Sequence, residues 1–217
     1  MQKIQVPQSH YKFEKYVHKK RWISLWYQLK EVLALQPVTL LELGPGPGLF
    51  KVLAGYQGIR VETVDLDAAL KPDFVASATR LPLKDDAYDC VCAFQMLEHL
   101  PYDESIKAFG EMVRVATKNI VISLPDARKI WTYQFYIPWL GEKIIHFPRP
   151  MFKKKPHNFS RQHYWEINRK GYPLQKIISD FSGKNVKLMD TYRLKEYPYH
   201  RFCIYSKQFP SREEKNT

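Results

Sequence analysis

The stretch Leu40-Leu-Glu-Leu-Gly-Pro-Gly-Pro-Gly48 (LLELGPGPG) decides the fold, because an apolar run changes there into a glycine-rich turn. Residues 38–43 are compact and apolar, which predicts a buried strand, and residues 49–57 are predicted to form a short helix. Glycines let the backbone turn sharply and approach a ligand closely without a Cβ clash. A turn of this kind between strand and helix is where open α/β sheets bind ligands, although a solvent-facing tight turn gives the same pattern.

Strands and helices alternate on both sides of this turn. Further strands are predicted at 59–65, 73–76, 88–94 and 119–124, and further helices at 20–35, 103–116 and 173–181. The alternation predicts an α/β fold, with a mostly parallel sheet and helices on both faces. Segments 185–194 and 201–207 alternate in polarity and are predicted to form a terminal antiparallel hairpin. The first helix is expected to bury an apolar face made of Trp22, Leu25, Trp26, Leu29, Val32 and Leu33.

Residues 126–160 break the alternation after the fifth strand. The stretch is rich in proline and aromatic residues and predicts a cap insertion packed over the sheet; its aromatics are Trp131, Tyr133, Phe135, Tyr136, Trp139, Phe147 and Phe152. These rings could form a core under a loop or contact a substrate. We therefore expect a single domain over 1–217. Its parts are an N-terminal helical segment (1–36), a cofactor-binding half (37–125), the aromatic and basic cap (126–170), a last helix and hairpin (171–208) and a polar tail (209–217).

The net charge of +12 is unevenly distributed. Residues 1–30 and 149–170 each carry seven Lys or Arg against one acid, and the rest of the chain is balanced. Two basic segments suggest an anionic partner, which could be RNA, an anionic small molecule or a membrane surface, although solvated lysines would also explain them. Cys90, Cys92 and Cys203 cannot all pair with one another, which favours reduced thiols and a cytoplasmic location. The longest apolar stretches are too short to cross a bilayer.

Asp65 narrows the class of ligand. It ends the second predicted strand, 21 residues after Gly44, where a carboxylate can accept the ribose hydroxyls of a nucleoside. A dinucleotide or S-adenosylmethionine would satisfy this pattern. The loop has the form E-x-G-x-G-x-G and not the dinucleotide fingerprint G-x-G-x-x-G. S-adenosylmethionine has no pyrophosphate but carries an ammonium group, which an acid such as Glu42 can support, so the pattern favours it.

At this point the sequence resembles the class I S-adenosylmethionine-dependent methyltransferases, of the small bacterial type that includes quinone C-methyltransferases. Four segments carry the resemblance: LLELGPGPG (40–48), VETVDLD (61–67), ATRLPLKDDAYDCVCAFQMLEHLP (78–101) and NIVISLP (119–125). The resemblance implies a Rossmann-like sheet of seven strands whose last pair forms an antiparallel hairpin. It also implies S-adenosylmethionine as cofactor and S-adenosylhomocysteine as product. The cap is rich in aromatics and too small for a large nucleic-acid domain, which favours a small molecule as methyl acceptor.

The resemblance also assigns cofactor-binding roles. It implies that Glu42, Gly44, Pro45 and Gly46 hold the methionine end, that Asp65 holds the ribose and that Leu66 packs on the adenine. Ser77, Ala78 and Thr79 would meet the adenine edge, with Ser77 where relatives usually carry an acid. Phe94, Gln95 and Leu97 would face the sulfonium and the substrate.

The chemistry predicts no fixed catalytic dyad, because methyl transfer is an in-line displacement that mainly requires positioning of the nucleophile. A base is needed only if the acceptor must lose a proton. The candidates in segments that would cap the pocket are Tyr16, His163, Glu166 and His200, together with Tyr11, Arg21, His157 and Tyr199. His99, in the block after the fourth strand, is a further candidate. His157 and His163 lack zinc-site spacing with any cysteine, so no metal site is predicted.

Two other functions remain open at this level. The basic segments with interleaved aromatics would suit an RNA-binding or RNA-modifying protein of the same fold. Alternatively, the segment YQFYIPWLGEKIIHFP (133–148) could lie in a membrane interface beside lysines, which would suit a membrane-peripheral enzyme that methylates a lipid or quinone.

Overall fold

A computed structural model describes residues 16–150, 162–183 and 185–208. Its strands are β1 (Thr39–Leu43), β2 (Arg60–Asp65), β3 (Phe74–Val75), β4 (Tyr88–Phe94), β5 (Ala116–Pro125), β6 (Ile130–Ile137), β7 (Gly141–Pro148), β8 (Val186–Arg193) and β9 (His200–Lys207). Seven of them form one sheet in the order β3-β2-β1-β4-β5-β9-β8. Neighbouring strands from β3 to β5 pair in parallel, whereas β9 is antiparallel to both β5 and β8. The predicted sheet and its terminal hairpin are confirmed.

Helices cover both faces of this sheet, as predicted. They are α1 (Lys19–Leu35), α2 (Leu49–Tyr56), α3 (Tyr102–Val115) and α4 (Leu174–Phe181). Because successive strand residues point to opposite faces, Leu40 packs in the core with α1 and α2, while Leu41 packs in the core with α3 and α4. Both core layers are well filled. Among the described residues, no helix is long and apolar enough to cross a membrane.

The strand order reverses at β1 and β4. The chain leaves β1 towards β2 and β3 and then returns to β4 on the other side of β1. Ligands of open α/β sheets bind at such a reversal point, because the loops that follow the two strands diverge there. The glycine-rich turn follows β1, and the segment Gln95–His99 follows β4, so both lie at this edge.

Helix α1 buries only part of the face predicted, because Leu25 and Val32 are buried and Leu29 packs against the same core. Trp22 and Trp26 are 46% and 58% exposed, and Leu33 is also exposed. The buried residues of α1 are Ser24, Leu25, Gln28 and Val32. Two polar side chains can face inward because they have partners: Ser24 Oγ lies 2.8 Å from His200 Nδ1, and Gln28 Nε2 donates to Ser24 Oγ at 3.5 Å. Hydropathy alone therefore predicted the buried leucine and valine positions of α1 but not its two buried polar residues.

The insertion predicted after the fifth strand is present and forms a β-hairpin. Strands β6 and β7 form a separate two-stranded antiparallel sheet, in register from Ile130 opposite Pro148 to Ile137 opposite Gly141. The predicted packing is wrong for its aromatics, which are all exposed: Trp131, Tyr133, Phe135, Tyr136, Trp139 and Phe147. A lone hairpin offers no second layer against which to bury them. Phe152 lies outside the described residues.

Candidate active site

The glycine-rich turn between β1 and α2 adopts backbone torsions that glycine tolerates best. Gly44, Gly46 and Gly48 have φ values of +69°, +55° and +75°, a region that side chains with a Cβ disfavour. Gly44 also lacks space, since a Cβ there would lie 2.5 Å from Met96 Cγ. By contrast, a Cβ on Gly48 would meet nothing within 4 Å. Both the backbone torsion and the close approach of the segment that follows β4 therefore require glycine at position 44.

Glu42 lies on β1 just before this turn and is buried. Its Oε2 atom has no hydrogen-bond partner within the described part of the chain. Burial raises the pKa of its carboxyl group to about 8, against the opposing field of Lys51. A buried carboxylate without a partner needs a cation or donor to be stable when ionised. The ammonium group of S-adenosylmethionine is such a cation, so the residues present fit the methionine end of this cofactor.

Asp65 ends β2 at the same edge of the sheet. Its Oδ1 accepts a hydrogen bond from the Asp67 amide at 2.9 Å, which holds the carboxylate in one orientation. Burial raises the pKa of Asp65, while the bond from the Asp67 amide lowers it. Leu66, the predicted adenine contact, is 36% exposed beside it. The position matches that predicted for a ribose-binding carboxylate, and the role itself stays a prediction.

The segment predicted to meet the adenine edge, Ser77–Thr79, lies next to Asp65, because the Ala76 amide donates to the Asp65 carbonyl at 3.0 Å. Ser77 Oγ lies 2.8 Å from Thr79 Oγ1 and accepts from the Thr79 amide at 3.2 Å. The hydroxyl that replaces the usual acid is therefore engaged in a local turn. The adenine contacts of Ser77, Ala78 and Thr79 stay predictions.

After β4 the chain turns through Gln95, a predicted site residue whose positive φ the sequence did not indicate. Gln95 has φ +52°, and its amide and its Nε2 donate to the Ser123 carbonyl and Oγ at 2.9 and 3.4 Å. Such torsions in residues other than glycine often occur at functional sites. Phe94 packs against Phe50 at 5.1 Å between ring centroids, and Leu97 is fully buried. Both are core side chains, and their contact with cofactor or substrate stays a prediction.

A cluster of titratable side chains lies beside this turn. Glu98 and His99 occupy a 3₁₀ turn, Leu97–His99, against which the chain packs when it returns after the hairpin. The Tyr164 amide donates to the Glu98 carbonyl at 2.8 Å, and His99 Nδ1 lies 2.7 Å from the Gln162 carbonyl. The rings of His99 and His163 meet edge to face, with 5.0 Å between centroids. The candidates His99 and His163, 64 positions apart in sequence, are thus brought together.

Glu166 lies beside this cluster and connects three of its neighbours by hydrogen bonds. It accepts hydrogen bonds from His163 Nδ1 at 3.0 Å, Tyr199 Oη at 2.7 Å and Arg169 Nε at 3.1 Å. Although burial acts in the opposite direction, these three bonds lower the pKa of its carboxyl group to about 2. A carboxylate held this firmly is a weak base, so Glu166 suits positioning better than proton transfer.

His200 and Tyr16 complete the set of described candidates. Burial lowers the pKa of His200 to about 3, so the ring is neutral at pH 7 and a weak base. Its ring lies 4.4 Å from that of Tyr197. The Arg21 guanidinium lies 4.1 Å from the centroid of the Tyr16 ring, and burial raises the pKa of that phenol. Tyr11 and His157 lie outside the described residues.

Glu98 was not among the site residues predicted from the sequence. Both of its oxygen atoms are buried and have no hydrogen-bond partner among the residues described. Burial raises the pKa of its carboxyl group to about 7, with His163 acting in the opposite direction. Its position as a charged residue between apolar residues, in Met96-Leu-Glu-His-Leu100, could have indicated that it is buried at the site.

Comparisons with known proteins agree with this geometry. Residues 41–122 match a family described as "Methyltransferase domain", a range that includes Glu42, Gly44, Asp65 and Glu98. No curated protein matches the sequence significantly.

Several solved structures share the fold over most of the chain. One is the 1,6-didemethyltoxoflavin-N1-methyltransferase of Burkholderia thailandensis with bound 1,6-didemethyltoxoflavin and S-adenosylhomocysteine (13% identity, 92% of this chain and 84% of that chain, TM-score 0.60). A second is a SAM dependent methyltransferase from Aquifex aeolicus (14%, 94% and 100%, 0.58). A third is the magnesium protoporphyrin IX methyltransferase of Synechocystis PCC 6803 with bound SAM (15%, 88% and 82%, 0.52). At these identities the likeness shows the fold. The chain therefore contains a methyltransferase domain over residues 41–122 and shares the fold of these S-adenosylmethionine-dependent methyltransferases, and S-adenosylmethionine is the cofactor that this domain implies.

Proposed function

We propose that this protein transfers the methyl group of S-adenosylmethionine to a small-molecule acceptor. The observation that carries the proposal is the buried Oε2 atom of Glu42, which has no hydrogen-bond partner among the described residues and lies beside the Gly44 turn, at the edge of the sheet that also holds Asp65. Glu42 would neutralise the ammonium group, Gly44, Pro45 and Gly46 would line the methionine end, and Asp65 would hold the ribose. When bound, the cofactor supplies a methyl group on a positive sulfur, which leaves as a neutral thioether.

The acceptor would lie on the side of His99, His163 and Tyr16. The side chains there would come from the segment before α1, the turn after β4, the segment 162–166 and the start of β9. Arg21 adds a positive charge near Tyr16, so an anionic group on the acceptor would be favoured. Glu166 and His200 are weak bases, which leaves Tyr16, His99 and His163 as candidates to take a proton from a hydroxyl or amine acceptor.

We place the reaction in the cytoplasm. Cys90, Cys92 and Cys203 are free and buried, and burial raises the pKa of each thiol. Neutral buried thiols are unreactive, which is compatible with a reducing compartment.

Calorimetric titration with S-adenosylhomocysteine tests the cofactor assignment. We expect binding by the wild-type chain and its loss, or a drop of 100-fold or more (about 2.7 kcal/mol), in Asp65→Ala. Asp67→Ala is the matched control. Asp67 is two residues away and caps the short turn at Ala68–Leu70 through the Ala69 amide at 2.9 Å. Equal losses in both variants would mean that Asp65 acts through the loop and not on the ribose. A wild-type chain that binds only a nicotinamide cofactor would refute the assignment.

Transfer of a labelled methyl group tests the class of acceptor. The protein and methyl-labelled S-adenosylmethionine are incubated with cell extract, which is then separated into small molecules, lipids, RNA and protein. We expect the label in the small-molecule fraction and its loss with Asp65→Ala. Label in RNA, with binding that weakens steeply as salt rises, would favour the RNA-modifying alternative instead.

A second candidate is a membrane-peripheral methyltransferase. The observation that favours it is the β6–β7 hairpin, whose tip exposes Tyr136, Trp139 and Leu140, with Trp139 fully accessible. The sequence that follows, 149–170, has a net charge of +6. Exposed aromatics beside basic residues are the chemistry that binds the interface of an anionic bilayer. Co-sedimentation with vesicles of anionic lipid, lost in Trp139→Ser with Leu140→Ser, would support this candidate. Equal sedimentation of variant and wild type would exclude the hairpin tip from it.

A further inference from the structure

The cluster after β4 brings three metal-ligating side chains together. Glu98, His99 and His163 each place one carboxylate oxygen or ring nitrogen so that these atoms all lie within 4.8 Å of one another. Two of them share the turn Leu97–His99, and the third arrives from the segment that returns after the hairpin. That segment is fixed by the bond from the Tyr164 amide to the Glu98 carbonyl and by Trp165 Nε1, which donates to Ser105 Oγ at 2.9 Å.

Glu98 supplies an independent sign that a cation belongs in the cluster. Its side chain is fully buried, and neither carboxylate oxygen has a hydrogen-bond partner in the part of the chain that is described. An ionised carboxylate in such a place is costly unless a cation or hydrogen-bond donors compensate it. Arg21 lowers the pKa of Glu98 only through its field, because the two side chains form no ion pair within 4.0 Å among the described residues.

The two histidines are arranged as metal ligands usually are. His99 Nδ1 faces the Gln162 carbonyl at 2.7 Å, and His163 Nδ1 faces Glu166 Oε1 at 3.0 Å. A carbonyl or carboxylate at Nδ1 fixes the ring proton there, so that Nε2 carries the lone pair. This carboxylate–histidine arrangement is the usual support of metal-bound histidine. Tyr199 and Arg169 hold Glu166 in turn.

We propose that Glu98, His99 and His163 form a binding site for one divalent transition-metal ion, of which Zn²⁺ is the natural occupant for two imidazoles and a carboxylate. Three protein ligands leave at least one open coordination position. That position would bind an oxygen atom of the methyl acceptor next to the cofactor and favour loss of its proton. The role in acceptor binding rests on the proposed function, whereas metal binding by these side chains does not.

Metal titration of the purified full-length chain tests the site. The chain is stripped with a chelator and titrated with Zn²⁺ against a chromogenic competitor, and with Co²⁺ while the visible spectrum is recorded. We expect one ion per chain and Co²⁺ absorption bands typical of a site with nitrogen and oxygen ligands. The probes are the metal ions alone, without acceptor or cofactor.

Variants assign the ligands. Glu98→Gln, His99→Ala and His163→Ala should each weaken Zn²⁺ binding on the order of 100-fold or more, and Glu166→Gln, a positioning change, about 10- to 100-fold. His146→Ala is the matched control, because His146 is a half-buried histidine on β7, outside the cluster, and its Nε2 lies 2.8 Å from the Lys195 carbonyl. It should bind Zn²⁺ like the wild type. Circular dichroism and S-adenosylhomocysteine binding identify any variant that fails to fold.

The outcomes separate the site from the proposed function. Zn²⁺ binding without S-adenosylhomocysteine binding would support the site and refute the methyltransferase proposal. S-adenosylhomocysteine binding without stoichiometric Zn²⁺ or Co²⁺ binding would overturn the site and mean that Glu98 instead pairs with a protonated His163. Zn²⁺ binding that is unchanged in folded Glu98→Gln and His163→Ala would also overturn it.

Discussion

At the scale of single residues, Gly44 and Gly48 share a backbone torsion but differ in the space around them. Replacing either by alanine puts a Cβ at positive φ, which costs about 1–3 kcal/mol. Only at Gly44 does that Cβ also collide with a neighbour, Met96 Cγ at 2.5 Å. We therefore expect Gly44→Ala to lower both unfolding free energy and S-adenosylhomocysteine affinity more than Gly48→Ala.

Urea unfolding and calorimetric titration measure these two effects. The double variant Gly44→Ala with Met96→Ala should recover part of the lost affinity, because it removes the colliding side chain. If the single variants behave alike, the approach of Met96 is not what requires glycine at position 44.

The buried carboxyl group of Glu42 couples stability to pH. Its pKa in the folded protein is about 8, well above its ordinary value of 4.5, so the folded state keeps a proton that the unfolded state releases. The stabilisation that this proton brings is complete below pH 4.5 and is lost as the pH rises through 8. Each pH unit between these limits costs about 1.4 kcal/mol.

Urea unfolding at pH 5, 6, 7 and 8 without cofactor tests this coupling. The stability of Glu42→Gln should decline less steeply than that of the wild type, by about 1.4 kcal/mol per pH unit. Glu98, with a pKa of about 7, contributes a decline of the same sign in both proteins. Parallel pH profiles of the two proteins would show that Glu42 is ionised at neutral pH.

At the scale of elements, Asp126 joins the end of β5 to β9 and to the segment after the hairpin. Its side chain is fully buried, accepts from Arg201 Nε at 2.9 Å and Asn168 Nδ2 at 2.9 Å, and lies 3.7 Å from Arg193 Nε. Removing one member of a buried charge network leaves the others without compensation. We expect Asp126→Ala to lower the unfolding free energy by about 3–5 kcal/mol.

Asp85→Ala is the control for this prediction. Asp85 also pairs with an arginine, Arg114 at 2.7 Å, but its side chain is 72% exposed. An exposed pair contributes about 0–1 kcal/mol. Equal losses in thermal or urea unfolding would contradict the view that burial of Asp126 sets the difference.

The elements also show what a single sequence can and cannot predict. The sequence could predict the sheet, the cofactor turn and the position of Asp65, because each depends on local patterns of hydrophobic period and residue spacing. The polar part of the inward face of α1 could not be predicted, because Ser24 faces inward only where it can form a hydrogen bond with His200, 176 positions later. The His99–His163 contact likewise depends on how the chain returns after the hairpin. Both features depend on partners that are distant in sequence.

At the scale of the whole molecule, we propose that the chain is one folding unit to which the hairpin is appended. No strand of the seven-stranded sheet pairs with β6 or β7 in the described part of the chain. The two ends of the hairpin are adjacent, with the Arg149 amide donating to the Lys129 carbonyl at 3.2 Å. Replacing residues 130–148 by two glycines should therefore leave one cooperative thermal transition and unchanged S-adenosylhomocysteine affinity.

Scanning calorimetry and titration check this deletion. We expect a change in Tm of only a few degrees, since the loss is confined to exposed contacts such as His146 with the Lys195 carbonyl. A deleted chain that unfolds in two steps, or that no longer binds S-adenosylhomocysteine, would mean that the hairpin is part of the core structure.

The position of β9 between β5 and β8 has a consequence for synthesis on the ribosome. Strand β5 ends at Pro125, but its partner on that side begins at His200. At 5–20 residues per second, roughly 4–15 s pass between emergence of the two. During that interval the nascent sheet presents an open hydrogen-bonding edge, the feature that promotes aggregation. We therefore expect the nascent chain to need chaperones most before its last strand emerges. Slowed translation of residues 126–200 should lower the soluble yield.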